Sequence, residues 1–159
     1  MAKQLWLLRH GEAVPHGARS DSDRELTPRG EREARAAGRA LARAGIEFDA
    51  CWSSPKVRAR DTAAHAGEEL GVAFDEVSSL AAGFDRDDAL ELLHAHDDGA
   101  CVLVVGHEPD FSQLVHDLTG ARVALEKGGV AAILLDGAAA FLLALLRPRE
   151  LEAMAGGPG

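Results

Sequence analysis

Two histidines follow short apolar runs at the points where buried strands should end. His10 comes directly after residues 5–8 and Arg9, and His107 comes after residues 101–105 and Gly106. Apolar runs this short, closed by a glycine, favour buried strands over helices. Ligand clefts in open α/β sheets lie beyond the carboxyl ends of such strands. We therefore expect both imidazoles to face one cleft, with Arg9 beside them.

A third predicted strand end supplies more cationic side chains. It leads into Ser53-Ser54-Pro55, with Arg58 and Arg60 close behind. Phosphoryl transfer needs donors around three equatorial oxygens, and bidentate guanidinium groups serve this purpose well. We therefore expect Arg58 to join Arg9 at a phosphoryl group. Arg60 is expected on a solvated helix surface, although it is close enough to Arg58 in the sequence to touch a substrate.

The two imidazoles add a nucleophile to this predicted phosphate site. An imidazole can attack phosphorus and form a phosphohistidine that water then cleaves, which divides one difficult displacement into two easier ones. We predict His10 as that nucleophile and His107 as a phosphate-binding partner. Such a scheme needs no metal ion.

Length and charge limit the classes of function. The chain has 159 residues, an ordinary length for one domain, so we expect a single domain over residues 1–159. The formal net charge of −9 argues against nucleic acid or an anionic membrane as a partner, because both require a basic surface. The predicted positive site must therefore be local.

Cysteine usage and the first residues predict a cytoplasmic protein. Cys51 and Cys101 lie in apolar runs, where buried free thiols are commoner than a disulfide or a catalytic pair. Arg9 and His10 interrupt the first apolar stretch before it reaches the length of a signal peptide or a membrane span.

Strands and helices are predicted to alternate along the chain after a polar loop over residues 11–27, which could cover a site. Thr27-Pro28 and Ser54-Pro55 each combine an N-cap with a proline at the first helical position. The predicted helices cover residues 28–44, 56–70, 87–95 and 109–118, and the predicted strands cover residues 5–8, 48–52, 72–77 and 101–105. This alternation predicts a mostly parallel sheet with helices on both faces.

The last third of the chain differs. Residues 130–135 and 141–146 predict a hairpin that turns at Asp136-Gly137, because this pair suits a two-residue turn. The hairpin places one antiparallel strand near the edge of the sheet. We expect residues 155–159 to form a frayed tail.

Taken together, these residues resemble the histidine phosphatase superfamily. The three matching motifs, in chain order, are Leu8-Arg9-His10-Gly11-Glu12-Ala13, Ser53-Ser54-Pro55 with Arg58 and Arg60, and Gly106-His107-Glu108-Pro109. Asp21, Arg24, Leu26, Thr27 and Gly30 are similar to the pattern of its SixA-type phosphohistidine phosphatases. The short chain is similar to that subgroup too, since phosphoglycerate mutases carry longer insertions. The resemblance spans nearly the whole chain.

The resemblance implies a phosphoglycerate mutase-like α/β fold, a three-layer α/β/α sandwich. It implies His10 as the nucleophile and Arg24 in an assisting role. The implied phosphate pocket consists of Arg9, Gly11, Arg58 and His107. The implied activity is removal of phosphate from phosphohistidine on a protein by a monomeric enzyme without a cofactor.

The proton donor for the leaving group is left open. Larger relatives use a carboxylate between the second and last motifs, and here residues 79–85 offer only Asp85. Glu12 and Glu108 are alternatives by adjacency to the motifs, although such residues are often solvated loop carboxylates. A phosphohistidine substrate needs a strong acid less, because imidazole is a much less basic leaving group than an alkoxide.

Other functions compete with this prediction. Within enzymes the alternative is a phosphatase of small phosphate esters. An inactive phosphate-binding or phosphoprotein-binding module is less favoured, because the chain keeps His10 and the arginines. A zinc site is also less favoured, since His94 and His96 would lie on different faces of a helix and no Cys-x-x-Cys spacing occurs.

Overall fold

The computed structural model describes residues 2–17 and 20–156. One six-stranded sheet lies at its centre. In chain order the strands are β1 (Lys3–Arg9), β2 (Ala50–Ser53), β3 (Phe74–Glu76), β4 (Cys101–Gly106), β5 (Val130–Asp136) and β6 (Ala139–Leu146). The α-helices are α1 (Pro28–Arg43), α2 (Val57–Leu70), α3 (Arg86–His94), α4 (Asp110–Thr119) and α5 (Pro148–Met154). Two 3₁₀ turns lie at Asp21–Asp23 and Ser78–Ala81.

The sheet is mostly parallel. Its strand order is β3-β2-β4-β1-β5-β6, and the first four strands in this order run parallel to one another. β5 is antiparallel to β1 and pairs with the edge strand β6. This arrangement confirms the predicted antiparallel strand next to the edge, and the chain folds as the predicted three-layer sandwich.

The alternating side chains of β1 serve two separate layers of helices. Leu5 and Leu7 point to one face, where they belong to an apolar cluster that includes Phe111 of α4. Trp6 and Leu8 point to the other face and belong to a cluster with residues of α1, α2 and α5. Because every second residue faces the same side of a strand, an uninterrupted apolar run is what a strand covered on both faces requires.

The alanine-rich helices α1 and α2 pack closely. A Cβ atom added at Gly38 would lie 2.5 Å from the carbonyl oxygen of Ala66, so only glycine permits this approach. The start of α1 follows the predicted cap: the Thr27 side chain accepts a hydrogen bond from the Gly30 N–H at 3.1 Å, and Pro28 occupies the first turn. The cap fixes α1 directly beside the loop that follows β1.

Several boundaries differ from the prediction. β2 begins at Ala50 and not at residue 48, because Phe48 packs edge-on against Trp6 with ring centroids 6.0 Å apart. The unpredicted helix α5 covers Pro148–Met154, and Leu151 is buried. The predicted frayed tail is wrong at its first residue, since Ala155 is buried in the apolar cluster that also contains Leu151 and Trp6. Residues 157–159 of that tail lie outside the described residues.

The cysteines agree with the prediction of free thiols. Both cysteines are free; Cys51 is buried, and burial raises the pKa of its thiol to about 12, whereas Cys101 is half-buried. Among the described residues, no helix is both long and apolar enough to cross a membrane.

Candidate active site

The ends of β1 and β4 bring the two predicted histidines together. Arg9 and Gly106 are register partners, and the backbone N–H of His10 donates to the Gly106 carbonyl at 3.1 Å. The next residue after each strand is therefore a histidine. The centroids of the His10 and His107 rings lie 5.2 Å apart, and both side chains are buried.

The tautomer of His10 follows from its hydrogen bond. Nδ1 lies 2.7 Å from the carbonyl oxygen of Gly11, and a carbonyl can only accept, so Nδ1 carries the proton. Nε2 therefore has a free lone pair. Burial, together with the nearby charges of Arg58 and Arg9, lowers the pKa of His10 to about 4. The ring is neutral at neutral pH, as a nucleophile must be.

Gly11 and Thr62 hold the nucleophile loop in place. The Gly11 N–H donates to the Thr62 hydroxyl at 3.1 Å, and that hydroxyl donates to the Arg58 carbonyl at 2.7 Å. A Cβ atom at Gly11 would lie 2.5 Å from the Gly30 carbonyl oxygen. The loop that carries His10 thus packs backbone against backbone on α1, and Gly11 keeps this loop in position.

His107 is fixed through one ring nitrogen. Its Nε2 lies 2.7 Å from the hydroxyl of Ser54, and that hydroxyl also accepts the Lys56 N–H at 3.2 Å. Burial and the neighbouring His10 lower the pKa of His107 to about 3. The other nitrogen, Nδ1, is buried and has no partner among the described residues.

Two arginines are also held by hydrogen bonds to backbone carbonyls, and each keeps a buried Nε donor without a partner among the described residues. Arg9 donates through Nη1 to the Leu125 carbonyl at 2.8 Å, and Arg58 donates through Nη1 to the Asp21 carbonyl at 2.7 Å. The Nε atoms of both are buried without a partner among the described residues. Burial lowers the pKa of each guanidinium. Leaving buried donors unpaired is unfavourable, so these atoms together favour an oxyanion between them.

Asp21 gathers the cations at the mouth of the site. Its carboxylate accepts from Arg24 at 3.1 and 3.2 Å, from Lys56 at 3.1 Å and from Arg58 at 3.3 Å. The hydrogen bond from Lys56 and the charge of Arg58 hold the pKa of this carboxyl well below its usual range. Arg24 also donates to the Val14 carbonyl at 3.0 Å. Asp21 thus orients three cations toward one cleft.

That cleft has a volume of about 800 Å³ and brings together most of the predicted site residues. The predicted residues that line it are Arg9, His10, Glu12, Arg24, Arg58, His107 and Glu108. Asp85 is not among them, because it caps α3, accepting the Asp88 N–H at 3.0 Å. Arg60 is not among them either, and its guanidinium lies 4.0 Å from the Glu76 carboxylate.

The two acidic candidates inside the cleft already have partners. Glu12 lies 3.3 Å from the Thr27 hydroxyl and 3.6 Å from the Arg29 guanidinium. Glu108 accepts the Ser112 N–H at 2.7 Å and the Ser112 hydroxyl with its second oxygen. Both side chains therefore hold together the loops in which they lie.

Sequence reasoning missed several lining residues. Lys56 and Asp110 line the cleft, and Asp110 accepts the Gly83 N–H at 2.9 Å. Both lie next to recognised motifs, so proximity to Pro55 and Pro109 could have indicated them. Lys127 also lines the cleft, but no motif in its neighbourhood pointed to it.

Metal-ligating side chains are not grouped in the described part of the chain, where no set of three or more His, Cys, Asp or Glu residues could hold an ion. His96, one of the two histidines considered for zinc, instead lies 3.1 Å from the indole nitrogen of Trp52 through its Nε2. Cationic side chains provide the positive charge of the cleft.

Comparisons with known proteins point to one family. A family model described as the histidine phosphatase superfamily (branch 1) matches residues 5–82. The structure of the protein histidine phosphatase SixA complexed with tungstate superposes with a TM-score of 0.83 and 26% identity, covering 93% of this chain and 99% of that one. An uncharacterised protein of Picosynechococcus sp. is 31% identical over 135 residues, covering 80% of this chain and 82% of the relative.

A phosphoglycerate mutase is similar over a shorter stretch. The 2,3-bisphosphoglycerate-dependent phosphoglycerate mutase 1 of Nitrosomonas europaea is 42% identical over 72 residues, which cover 43% of this chain. The matched part is only 31% of that mutase.

Proposed function

Because the chain belongs to the histidine phosphatase superfamily, we propose that it is a phosphatase that removes the phosphoryl group from phosphohistidine on a protein. The observation that carries this proposal is the fixed tautomer of His10, whose Nδ1–H is bound to the Gly11 carbonyl at 2.7 Å. Nε2 is left as a neutral nucleophile beside the buried Arg58, the half-buried Arg9 and a second histidine.

Two displacements complete the reaction. In the first, the Nε2 lone pair of His10 forms a bond to phosphorus while the bond from phosphorus to the substrate imidazole breaks, and the departing nitrogen keeps the bonding electrons and takes a proton from solvent. In the second, water attacks phosphorus, inorganic phosphate leaves, and the lone pair returns to Nε2. The hydrogen bond to Gly11 keeps Nδ1 protonated throughout. The phosphorylated ring therefore carries positive charge, which makes it a good leaving group in the second step.

The unpaired buried atoms supply the electrostatic part of this mechanism. The Nε donors of Arg9 and Arg58 and the Nδ1 atom of His107 have no partner among the described residues. We infer that phosphoryl oxygens bind there, with Arg24 assisting at the mouth. Donors placed in advance around developing charge stabilise the transition state without reorganisation. Tungstate, which accompanies the SixA structure, is a mimic expected to bind at the same atoms.

The lack of a free acid supports the proposed substrate class. Glu12, Glu108 and Asp110 all have partners already, and the nearby wall of the cleft consists of Ala81, Ala82 and Gly83. An alkoxide leaving group needs a positioned proton donor much more than an imidazole does. These observations support a phosphoramidate substrate.

Small phosphate esters are the second candidate. The similarity to a phosphoglycerate mutase, 42% identical over 72 residues, favours them, and so does the size of the cleft. Under this alternative one of the engaged carboxylates would have to leave its partners and protonate the alkoxide.

The proposed partners rest on the net charge of the chain. We infer a monomeric, single-domain enzyme that acts in the cytoplasm on a phosphohistidine protein and not on nucleic acid or membranes. The net charge of −9 supports this choice, because nucleic acid and anionic membranes repel such a surface. We also infer that no metal is needed, since Arg9, Arg58 and Lys56 line the cleft and supply positive charge for a bound phosphoryl group; EDTA should leave the rate unchanged.

A side-by-side assay tests the substrate class. A phosphohistidine peptide and a panel of small phosphate esters are compared by kcat/KM at the same pH, with His10→Ala as the control for contaminating phosphatases. The proposal predicts the higher kcat/KM for the phosphohistidine peptide. A higher value for one of the esters would contradict it and favour the second candidate.

A further inference from the structure

A second groove opens beside the phosphoryl cleft. It has a volume of about 530 Å³ and lies between the first turns of α1 and α5 and the turn before β5. Arg9, Glu12 and Lys127 line both spaces, so the groove and the cleft meet at these residues. When a phosphohistidine enters the cleft, the polypeptide on either side of it must lie on the surrounding surface. The groove is the adjoining space that can receive it.

Lys127 stands at this junction on a fixed backbone. The next residue, Gly128, donates its N–H to the carbonyl oxygens of Arg9 at 3.1 Å and His10 at 3.0 Å. The turn is therefore attached to the nucleophile's own strand end. The ammonium group acts on the nucleophile, because its charge adds to burial in lowering the pKa of His10.

The other cations of the groove already face carboxylates. Arg29 lies 3.6 Å from the carboxylate of Glu12, and Arg147 donates to Glu150 at 2.8 Å. Arg149 also interacts electrostatically with Glu150. Lys127 differs from them: within residues 2–17 and 20–156, it makes no hydrogen bond or ion pair. In a protein with a net charge of −9, it is a cation available to an incoming anion.

We propose that the groove binds the polypeptide that carries the phosphohistidine, and that Lys127 binds an acidic side chain flanking that histidine. The inference rests on the proposed function. The phosphoryl oxygens have their own donors in Arg9 and Arg58, so Lys127 is left for the next anionic group along the substrate. Glu126 and Glu152 line the second groove but not the cleft. They would repel acidic substrate residues that lie in the groove away from the cleft.

A crossed comparison of enzyme and peptide variants tests the site. Two phosphohistidine peptides of equal length are prepared, one with Asp beside the phosphohistidine and one with Asn. Each is assayed with the wild type, Lys127→Gln, Lys127→Arg and Arg122→Gln. Arg122 is the matched control, because it is an exposed cation of the same connection that lines neither space.

The measured quantity is the ratio of kcat/KM for the Asp peptide to that for the Asn peptide. For a solvent-exposed ion pair we expect a ratio of about threefold to fivefold in the wild type. It should persist in Lys127→Arg and Arg122→Gln and fall to about one in Lys127→Gln. Raising the salt concentration should reduce the wild-type ratio, because exposed charges are screened.

Two results would overturn the inference. One is a wild-type ratio of one; the other is a ratio that Lys127→Gln leaves intact. If Lys127→Gln leaves the ratio intact but lowers kcat/KM equally on both peptides, the lysine is assigned to the phosphoryl group itself. If the wild type hydrolyses neither peptide, the proposed function fails along with this inference, and the wild-type assay alone reveals that case.

Discussion

Lowering the pH should destabilise the fold through its two buried histidines. Burial first, and then neighbouring positive charge, lower the pKa of His10 to about 4 and that of His107 to about 3. An unfolded histidine has a pKa of about 6.5. Between these values the unfolded chain binds protons that the folded chain does not, so stability is complete above about pH 6.5 and is lost as the pH falls toward the folded pKa. From pH 7 to pH 5 each ring should contribute about 2 kcal/mol of this loss.

Chemical denaturation at pH 5, 6 and 7 measures this effect. The free energy of unfolding is compared for the wild type, His10→Asn and His107→Asn, with the exposed residue His116 changed to Asn as a control. Each active-site variant should lose about 2 kcal/mol less than the wild type between pH 7 and pH 5, whereas His116→Asn should follow the wild type. Because other groups titrate equally in all four proteins, the difference isolates the two rings. Equal losses in the wild type and both active-site variants would refute the reasoning.

Three further predictions concern catalysis and its supports. The acidic limb of kcat/KM should lie near pH 4, where His10 gains its proton. Arg58→Gln should move this limb to higher pH and weaken tungstate inhibition about tenfold to a hundredfold, as the loss of a charge-assisted hydrogen bond does. An unmoved limb with unchanged inhibition would exclude Arg58 from the site. Gly11→Ala should lower kcat about a hundredfold, because its Cβ would lie 2.5 Å from the Gly30 carbonyl oxygen and displace the nucleophile loop; normal turnover would contradict this close packing. Asp85→Ala should lower the free energy of unfolding by about 1 kcal/mol, because α3 loses its cap, and it should leave kcat/KM unchanged. A large fall of kcat/KM in the folded variant would restore Asp85 as a candidate acid.

The sequence predicted the centre of the sheet well because β1 and β4 are apolar on both faces. Residues 5–8 and 101–105 could be read as buried strands, and the histidine behind each could then be placed in one cleft. The structure confirms that placement, with the two rings 5.2 Å apart. Helix α5 was missed because it has only seven residues and a single buried side chain, Leu151, which is too little to produce a periodic pattern.

Contacts between distant segments were beyond the sequence. Asp21 could be noted as part of a family pattern, but its contacts with Lys56 and Arg58 depend on how the loop before α1 folds over α2. Lys127 reaches the cleft because β5 inserts beside β1 and the turn before it binds the backbone of Arg9 and His10. Asp85 was considered as a candidate acid because of its position between the second and last motifs. That position gave no sign that its side chain would instead cap α3.

Trapping the covalent intermediate tests the central claim most directly. The wild type is mixed with a phosphohistidine peptide, quenched within milliseconds at alkaline pH, where phosphohistidine is stable, and digested for mass spectrometry. We predict a phosphoryl group on Nε2 of His10, formed and lost at rates compatible with kcat, and no turnover in His10→Ala. Phosphate on another residue, or near-normal turnover in His10→Ala, would contradict the account.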